Sequence, residues 1–336
     1  GGGEMPPLEP TPVGAFRFNP NSAKLEYWDG NQFVNVTTDS PEQNTGGTRG
    51  IFYAGATSGG RDNVIQFVNV STTGNAIDFG DATDNCFTSG GCASRTRAVF
   101  HQSENIFTEL DFVTIASTGN ATDFGDGSNS LGGSMASNST RAIDFIGNSV
   151  TIESITIAQT GNSVDFGDKS YSAIGTASFA SPTRAVVAGG YGPSPHPQFD
   201  TLEYVTISTA SNSADFGNLT FGHSNTAGCC NATRGLIAGG YTFPSPATVY
   251  YNTIEYVTIS SLGNATDFGD LTLTGTQPTG VSSPTRGVFG GRSSDNEKDV
   301  IDYVQIMTTG NAVDFGNLLA GRRNASSASN GHGGLG

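Results

Sequence analysis

A six-residue phrase, Asn-x-x-Asp-Phe-Gly, occurs six times in this 336-residue chain, beginning at Asn75, Asn120, Asn162, Asn212, Asn264 and Asn311. Its aspartates, Asp78, Asp123, Asp165, Asp215, Asp267 and Asp314, are 42 to 52 residues apart. A second phrase runs in step with it: Thr-Arg followed by small and apolar residues, with the arginines at Arg49, Arg97, Arg141, Arg184, Arg234 and Arg286. Two phase-locked phrases at one period mean six copies of a single supersecondary unit, each needing its neighbours to bury its apolar surface.

Each unit reads as short strands. Arg234 to Gly240 is an apolar run closed by a glycine pair. Leu202 to Ile207 alternates, with Leu202, Tyr204 and Thr206 on one face and Glu203, Val205 and Ile207 on the other. Gly-Asn, or Ser-Asn in the fourth unit, makes a turn through its tolerance of positive φ, and Asp-Phe-Gly begins the returning strand. A fourth strand fits before the next Thr-Arg, as in Ala227 to Ala232. The 47 glycines and the scarcity of helix formers suit an all-β chain. Four strands in about 45 residues is the size of a β-propeller blade, so a closed ring of six blades over 48–336 is expected. An open β-solenoid is the competitor. The stretch Asn324 to Leu335 matches what precedes each Thr-Arg, and pairing with the strand at Thr48 would join the chain ends and remove an exposed edge.

The repeated charges invite a functional reading, but the same residue in the same context six times implies equivalent structural duty. The phenylalanine should pack between adjacent units. The aspartate should accept backbone N–H bonds or pair with a repeat arginine. The second polar position, Asp81, Asp126, Asp168, Asn218, Asp270 and Asn317, could gather calcium with the first, although the ligand pattern is sparse for a calcium loop; no other cofactor is expected. Cys86 and Cys92 bracket a Gly-rich loop and are either a local disulfide or free thiols, and Cys229-Cys230 has no metal-finger spacing. The four histidines fall at unrelated places in the repeat, and no nucleophile elbow, zinc-protease or phosphate-loop motif occurs. A propeller sialidase, with its arginine cluster and tyrosine, is the nearest enzymatic rival. Eight Asn-x-Ser/Thr sequons follow from composition. A net charge of −15 disfavours nucleic acid and anionic lipid as partners. No apolar run is long enough to span a membrane. Residues 1–12 read as a flexible leader without a signal peptide.

Function on a repeated scaffold sits where the repeats differ. They differ most between the glycine pair and the alternating strand. There the fourth unit inserts Tyr191 to Phe199, with His196 inside, and the fifth inserts Tyr241 to Tyr251, with Phe243 and Tyr250. Both are aromatic and proline-rich and occupy one slot in adjacent units. They should emerge side by side as recognition loops (Tyr191, His196, Phe199, Tyr241, Phe243, Tyr250, Tyr251), against the plainer reading of two long surface loops. The third unit lacks the glycine pair, having Asp144-Phe-Ile-Gly147, so its blade is expected to be irregular.

Residues 13–47 form a small β module and linker. Strands are expected over Val13–Asn19, Lys24–Trp28 and Gln32–Val36, with Asp29-Gly30-Asn31 as a hairpin turn. Gly14-Ala-Phe-Arg-Phe-Asn19 with Lys24-Leu-Glu-Tyr-Trp-Asp-Gly30 resembles a β motif of phage tail-fibre and other structural proteins. The Thr-Arg, Tyr-Val-Thr-Ile and Asn-Ala-Thr-Asp-Phe-Gly phrases resemble kelch-like propeller repeats in virion proteins of marine, especially cyanobacterial, phages. This resemblance implies a virion location, without a particular attachment point. The N-terminal module and the paired aromatic loops lead to the expectation of a non-enzymatic protein on the particle exterior, tail- or fibre-associated, oligomeric in the particle, and attached to other virion proteins through the N-terminal module. The propeller would be displayed toward a host-surface glycan or outer-membrane component. Passive decoration of capsid or tail, and a glycan-cleaving propeller enzyme, are the alternatives.

Overall fold

A computed structural model describes residues 11–19, 24–35, 48–103, 108–243 and 248–335. The leader over 1–10, the linker over 36–47, and 244–247 of the fifth unit's insertion lie outside the described residues. Strands take 53% of the chain and helix 1%, so the all-β reading holds. The chain divides into two compact units, Gly1–Gln43 and Asn44–Gly336.

The first unit is an antiparallel sheet of Phe16–Asn19, Lys24–Trp28 and Phe33–Asn35, slightly shorter than expected. Asp29 sets the hairpin turn by accepting the Gln32 and Asn31 N–H groups at 2.8 Å each, which holds its carboxyl below the usual range. On one face Arg17 pairs with Glu26 at 2.8 Å and lies 3.5 Å over the Phe33 ring. The opposite face carries the cross-strand pairs Phe16–Tyr27 and Phe18–Leu25, exposed by 67, 37, 64 and 44% respectively. These four side chains make an exposed apolar face.

The second unit contains six four-stranded antiparallel sheets. In the fourth, Ala177–Ala180, Arg184–Ala188, Thr201–Thr206 and Ala214–Asn218 pair in chain order. The second, third, fifth and sixth sheets repeat this order, starting at Phe87–Ala93, Ser134–Ser137, Ala227–Cys230 and Thr279–Ser282. The first sheet takes its first strand, Ser326–Ser329, from the far end of the chain, paired antiparallel with Arg49–Thr57. The seam expected from the tail is therefore formed. The first strands of successive sheets touch one another, and that of the sixth touches Ser326–Ser329 of the first. The third sheet is as complete as the others, which corrects the expected irregularity. Asn148, at φ 57°, follows Gly147 there and supplies a left-handed residue of the kind the glycine pairs supply elsewhere.

The alternation in each third strand feeds two cores rather than one core and solvent. Leu202 packs with Phe216 against Ile237, Val257 and Ile259 of the fifth sheet. Val205 and Ile207 pack against Ile143, Phe145 and Phe166 of the third. Six such clusters occur, one between each pair of successive sheets, including sixth to first (Val288, Ile301 and Phe315 with Phe52, Val68 and Val70). Each Asp-Phe-Gly phenylalanine is at most 3% exposed and sits in one of them, as expected. Cys86 lies in the first-to-second cluster and Cys92 in the second-to-third. Both are free thiols, so no local disulfide closes the loop. Burial pushes the Cys86 thiol up to about 12 and Cys230 to about 11, which keeps both inert.

The fourth strand of each sheet is joined to the turn of the next. The Phe216 carbonyl accepts the Gly263 N–H at 2.9 Å, and the Asn218 carbonyl accepts that of Ala265 at 2.8 Å. Asn264 Oδ1 accepts the Asn218 N–H at 3.0 Å. Asn120, Asn162, Asn212, Asn311 and Asn75 do the same for Asp81, Asp126, Asp168, Asp270 and Asn317, at 3.0 to 3.1 Å. None of these asparagines has positive φ, so the phrase keeps asparagine for its side-chain acceptor and not for its backbone tolerance. The phrase glycine has two constraints. Gly217 has φ 146°, and a Cβ there would lie 2.4 Å from the Gly263 carbonyl oxygen.

The first strands line a cavity that is partly open to solvent. The chain after Ser329 packs into the same region. His332 Nε2 donates to the Ala93 carbonyl at 2.8 Å while Nδ1 accepts the Gly334 N–H at 3.2 Å, which defines the tautomer. Arg95 donates to the Leu335 carbonyl at 3.2 Å. Burial lowers the His332 pKa and keeps the ring neutral.

Gly263 has φ 150° but open space at its Cβ position, so it isolates backbone strain from collision. Gly217→Ala should therefore cost about 1–3 kcal/mol more than Gly263→Ala, read from denaturant midpoints. Equal losses would refute the close-approach account.

Candidate recognition surface

The repeat arginines go to backbone, not to aspartate. Arg184 Nη1 donates to the Ile259 carbonyl of the next sheet at 3.0 Å. Arg49, Arg97, Arg141 and Arg234 reach Ile115, Ile157, Ile207 and Ile306 in the same way at 2.8 to 3.0 Å, and Arg286 closes the series on Ser71 at 2.8 Å. Five of the six also lie 4.2 to 4.8 Å over a ring of their own third strand: Phe67, Phe112, Tyr204, Tyr256 and Tyr303. Each of these rings meets its phrase phenylalanine edge-on, as Tyr204 meets Phe216 at 6.1 Å. The third sheet has Ser154 in place of the ring, and this is where its pattern departs. The repeat aspartates are exposed, and among the described residues none pairs with a repeat arginine. Asp123 accepts a backbone N–H, from Gly125 at 3.0 Å. Of the two roles expected for the aspartate, backbone acceptance is the one seen, at Asp123, while the repeat arginines bond carbonyls of the next sheet. Among the described residues no three His, Cys, Asp or Glu side chains gather as metal ligands.

A second repeated polar device was missed in the sequence. One third-strand residue per sheet (Gln66, Asp111, Glu153, Glu203, Glu255, Asp302) is buried, and it accepts bonds from the residue two past the preceding sheet's fourth strand. Glu153 takes the Ser128 N–H at 3.0 Å and its hydroxyl at 2.5 Å. Glu203 takes both groups of Ser170, Glu255 both of Thr220, Asp302 both of Thr272 and Asp111 both of Thr83. Gln66 takes only the Leu319 N–H, at 2.8 Å. A carboxylate stands wherever the partner has a hydroxyl, and an amide where the partner is leucine. The signal that could have found this device is that same covariation, which aligning the six units on their two phrases exposes. Burial pushes Glu153 up, but the bonds from Ser128 and Ser163 and the nearby His101 outweigh it and leave its carboxyl below the usual range. Glu255 is likewise lowered, burial being outweighed by His223 and Thr220.

The two insertions do meet. Tyr191 pairs its backbone with Ile174, and Tyr241 pairs with Ser224, the matching position one sheet on. Phe199 packs on Tyr171 at 4.7 Å and Tyr251 on Phe221 at 4.7 Å, so each insertion is pinned at its C-terminal end by one ring. Tyr241 is buried and meets Phe243 at 4.7 Å and Tyr250 at 6.4 Å. Tyr191 meets Phe243 edge-on at 6.5 Å and His196 at 5.8 Å. The seven candidates thus divide into anchors (Phe199, Tyr251, Tyr241) and a ledge in which His196, Tyr191 and Phe243 are in contact and Tyr250 joins them through Tyr241, with Phe243 53% exposed. Burial raises the phenol of Tyr191, and that of Tyr241 to about 12, so both remain hydrogen-bond donors. The first and sixth sheets use the same slot differently, extending their second and third strands into longer hairpins, Arg49–Asn69 and Arg286–Gln305.

Comparison with protein-family models and with curated proteins finds no match. No helix among the described residues is long and apolar enough to cross a membrane.

Two stability measurements follow from the buried acceptors. Gln66→Glu places a charge where only one donor waits and should cost about 2–4 kcal/mol at pH 7. Adding Leu319→Thr should recover about 1–3 kcal/mol, a coupling that a double-mutant cycle reads directly. Because the folded-state pKa values of Glu153 and Glu255 are depressed, their contribution is present above the unfolded value of about 4.3 and is lost as pH falls through the folded values. The stability difference between the wild type and Glu153→Gln/Glu255→Gln should therefore shrink on acidification below about pH 4.3. A difference independent of pH would exclude ionised carboxylates facing His101 and His223.

Proposed function

We propose that the six sheets are the blades of a closed six-bladed β-propeller, and that the protein is a non-enzymatic structural component of a virus particle. It is displayed on the exterior, tail- or fibre-associated, for recognition of a host surface. Closure is supported by the seam strand Ser326–Ser329 on Arg49–Thr57, by the core shared between the sixth and first sheets, and by the contact of Thr279–Ser282 with Ser326–Ser329. A ring leaves only short, protected edges for strands of other chains to pair with.

The observation that carries the recognition reading is the aromatic ledge. Six near-identical units hold the scaffold, and two adjacent ones alone carry stiff, proline-rich insertions whose rings converge on the surface. Contiguous exposed aromatic surface on a repeated scaffold marks a contact site. The arginines that a sialidase-like site would need are all engaged with backbone carbonyls of neighbouring sheets. The apolar face of the N-terminal sheet supports attachment to other virion proteins, in an oligomeric assembly on the particle. That face by itself would serve a passive decoration protein equally well, and this is the second reading.

Immunogold labelling of particles should place this protein on the tail or its fibres; label spread over the head would favour decoration, and its absence from particles would overturn the virion reading. Replacing 191–199 and 241–251 by Gly-Ser linkers should abolish adsorption to host cells while particles still assemble. Deleting residues 1–39 should instead abolish incorporation.

A further inference from the structure

We infer that the ledge binds the apolar face of a neutral sugar ring, with Phe243 as the platform and Tyr191, Tyr250 and His196 as its rim; this rests on the recognition reading and names its ligand class. Three observations support it. First, the contacting members of the ledge are rings: Phe243 is 53% exposed, while the exposed aliphatic side chains among the described residues of the insertions are Val249, at 41%, and Pro193, Pro195 and Pro197. Phe243 stands edge-on to Tyr191 and Tyr241, at 74° and at 6.5 and 4.7 Å, and about half of it is open to solvent, which suits a thin, flat ligand better than a protein surface needing a packed apolar core. A pyranose offers such a ligand, since its axial C–H groups form an apolar face and its hydroxyls point outward.

Second, neither insertion contains Lys, Arg, Asp or Glu. Hydrogen bonding at the rim therefore comes from the phenols, the His196 ring nitrogens, and the Thr242 hydroxyl 3.2 Å from the Tyr251 hydroxyl. Neutral groups that both donate and accept match sugar hydroxyls. Third, the surrounding charge is unfavourable to an acidic sugar. Asp200 is exposed directly after the first insertion, Lys169 is buried against the Ile146 carbonyl, and the chain carries a net charge of −15. A carboxylate or phosphate would find no Lys or Arg counter-charge on the insertions and would approach a chain of net negative charge.

The test is saturation-transfer NMR on the full chain, irradiating aromatic protons in the presence of cellohexaose, maltohexaose or mannohexaose, with oligogalacturonate as the acidic counterpart. Transfer to ring C–H protons of a neutral oligomer is expected. In titrations Phe243→Ala should weaken that binding about tenfold, with the same loss in Tyr191→Ala and no change in thermal unfolding beyond that of Val249→Ala. Transfer to oligogalacturonate alone, or neutral binding untouched by either substitution, overturns the inference. A parallel pull-down on cyanobacterial cell envelopes separates the two levels. Retention that survives periodate oxidation of the envelope sugars but is lost with the Gly-Ser insertions means a protein receptor: recognition would stand and the sugar class fall. Absence of retention on untreated envelopes counts against recognition itself, and the NMR result then stands or falls alone.

Discussion

The joint between one sheet's Asp-Phe-Gly strand and the next sheet's Gly-Asn turn is the contact on which the remaining structure depends. At Gly217 the backbone of one sheet comes so near the Gly263 carbonyl that a Cβ would sit 2.4 Å away, and the same approach recurs at Gly80, Gly125, Gly167, Gly269 and Gly316. Only a residue without a side chain, at a φ that other residues avoid, permits it. The close approach lets the turn's N–H groups and the asparagine amide satisfy the fourth strand, which would otherwise leave its backbone groups unpaired on one side. It also brings Phe216 against the Ile237, Val257 and Ile259 core of the next sheet. Full burial of one such ring contributes about 1.5–3 kcal/mol, so the hydrogen bonds set the geometry and the phenylalanines supply most of the stabilisation.

Two further devices reinforce that joint at different depths. The arginine at the start of each second strand donates to a carbonyl of the next sheet, and in five of the six it also lies on an aromatic ring of its own sheet, tying neighbours through a partly exposed side chain. The buried acceptors act deeper. A carboxylate removed from water is costly unless its lone pairs are met, and here a backbone N–H and a hydroxyl meet them. Where Leu319 offers no hydroxyl, Gln66 replaces the acid, which is what that cost requires. The site of variation lies where these devices stop: the Tyr191 and Tyr241 insertions leave the sheets just past the glycine pairs, so they vary in length and composition without disturbing the sheet-to-sheet contacts.

Much of this was legible in the residues. The two phase-locked phrases implied six equivalent units, the alternation from Leu202 to Ile207 placed its two faces correctly, and the tail from Asn324 was placed on the strand after Thr48. The anchors and the exposed members of the insertions were not separable, because Phe199 and Phe243 are both phenylalanines in proline-rich segments; only the positions of Tyr171 and Phe221 decide which rings are covered. Whether the repeat aspartate accepts backbone N–H groups or pairs with a repeat arginine stayed open in the sequence for a similar reason. Complementary charges recurring in step suggest a bond, but the pairing depends on which surface each side chain faces across a joint between units far apart in sequence.

By itself, the sequence determined the number of units, their strand content and the residues forbidden to change within them, because periodicity and local backbone chemistry are properties of short segments. Tertiary structure alone decided the partners: which carbonyl each arginine reaches, which hydroxyl each buried acid accepts, why asparagine stands in each turn, and which aromatic rings remain open to a ligand. Those choices depend on distances of a few ångströms between residues tens of positions apart, 36 of them from Asp126 to Asn162, and no local rule of propensity carries that information; only the pairing of buried acid with hydroxyl leaves a trace in the sequence, as covariation between units.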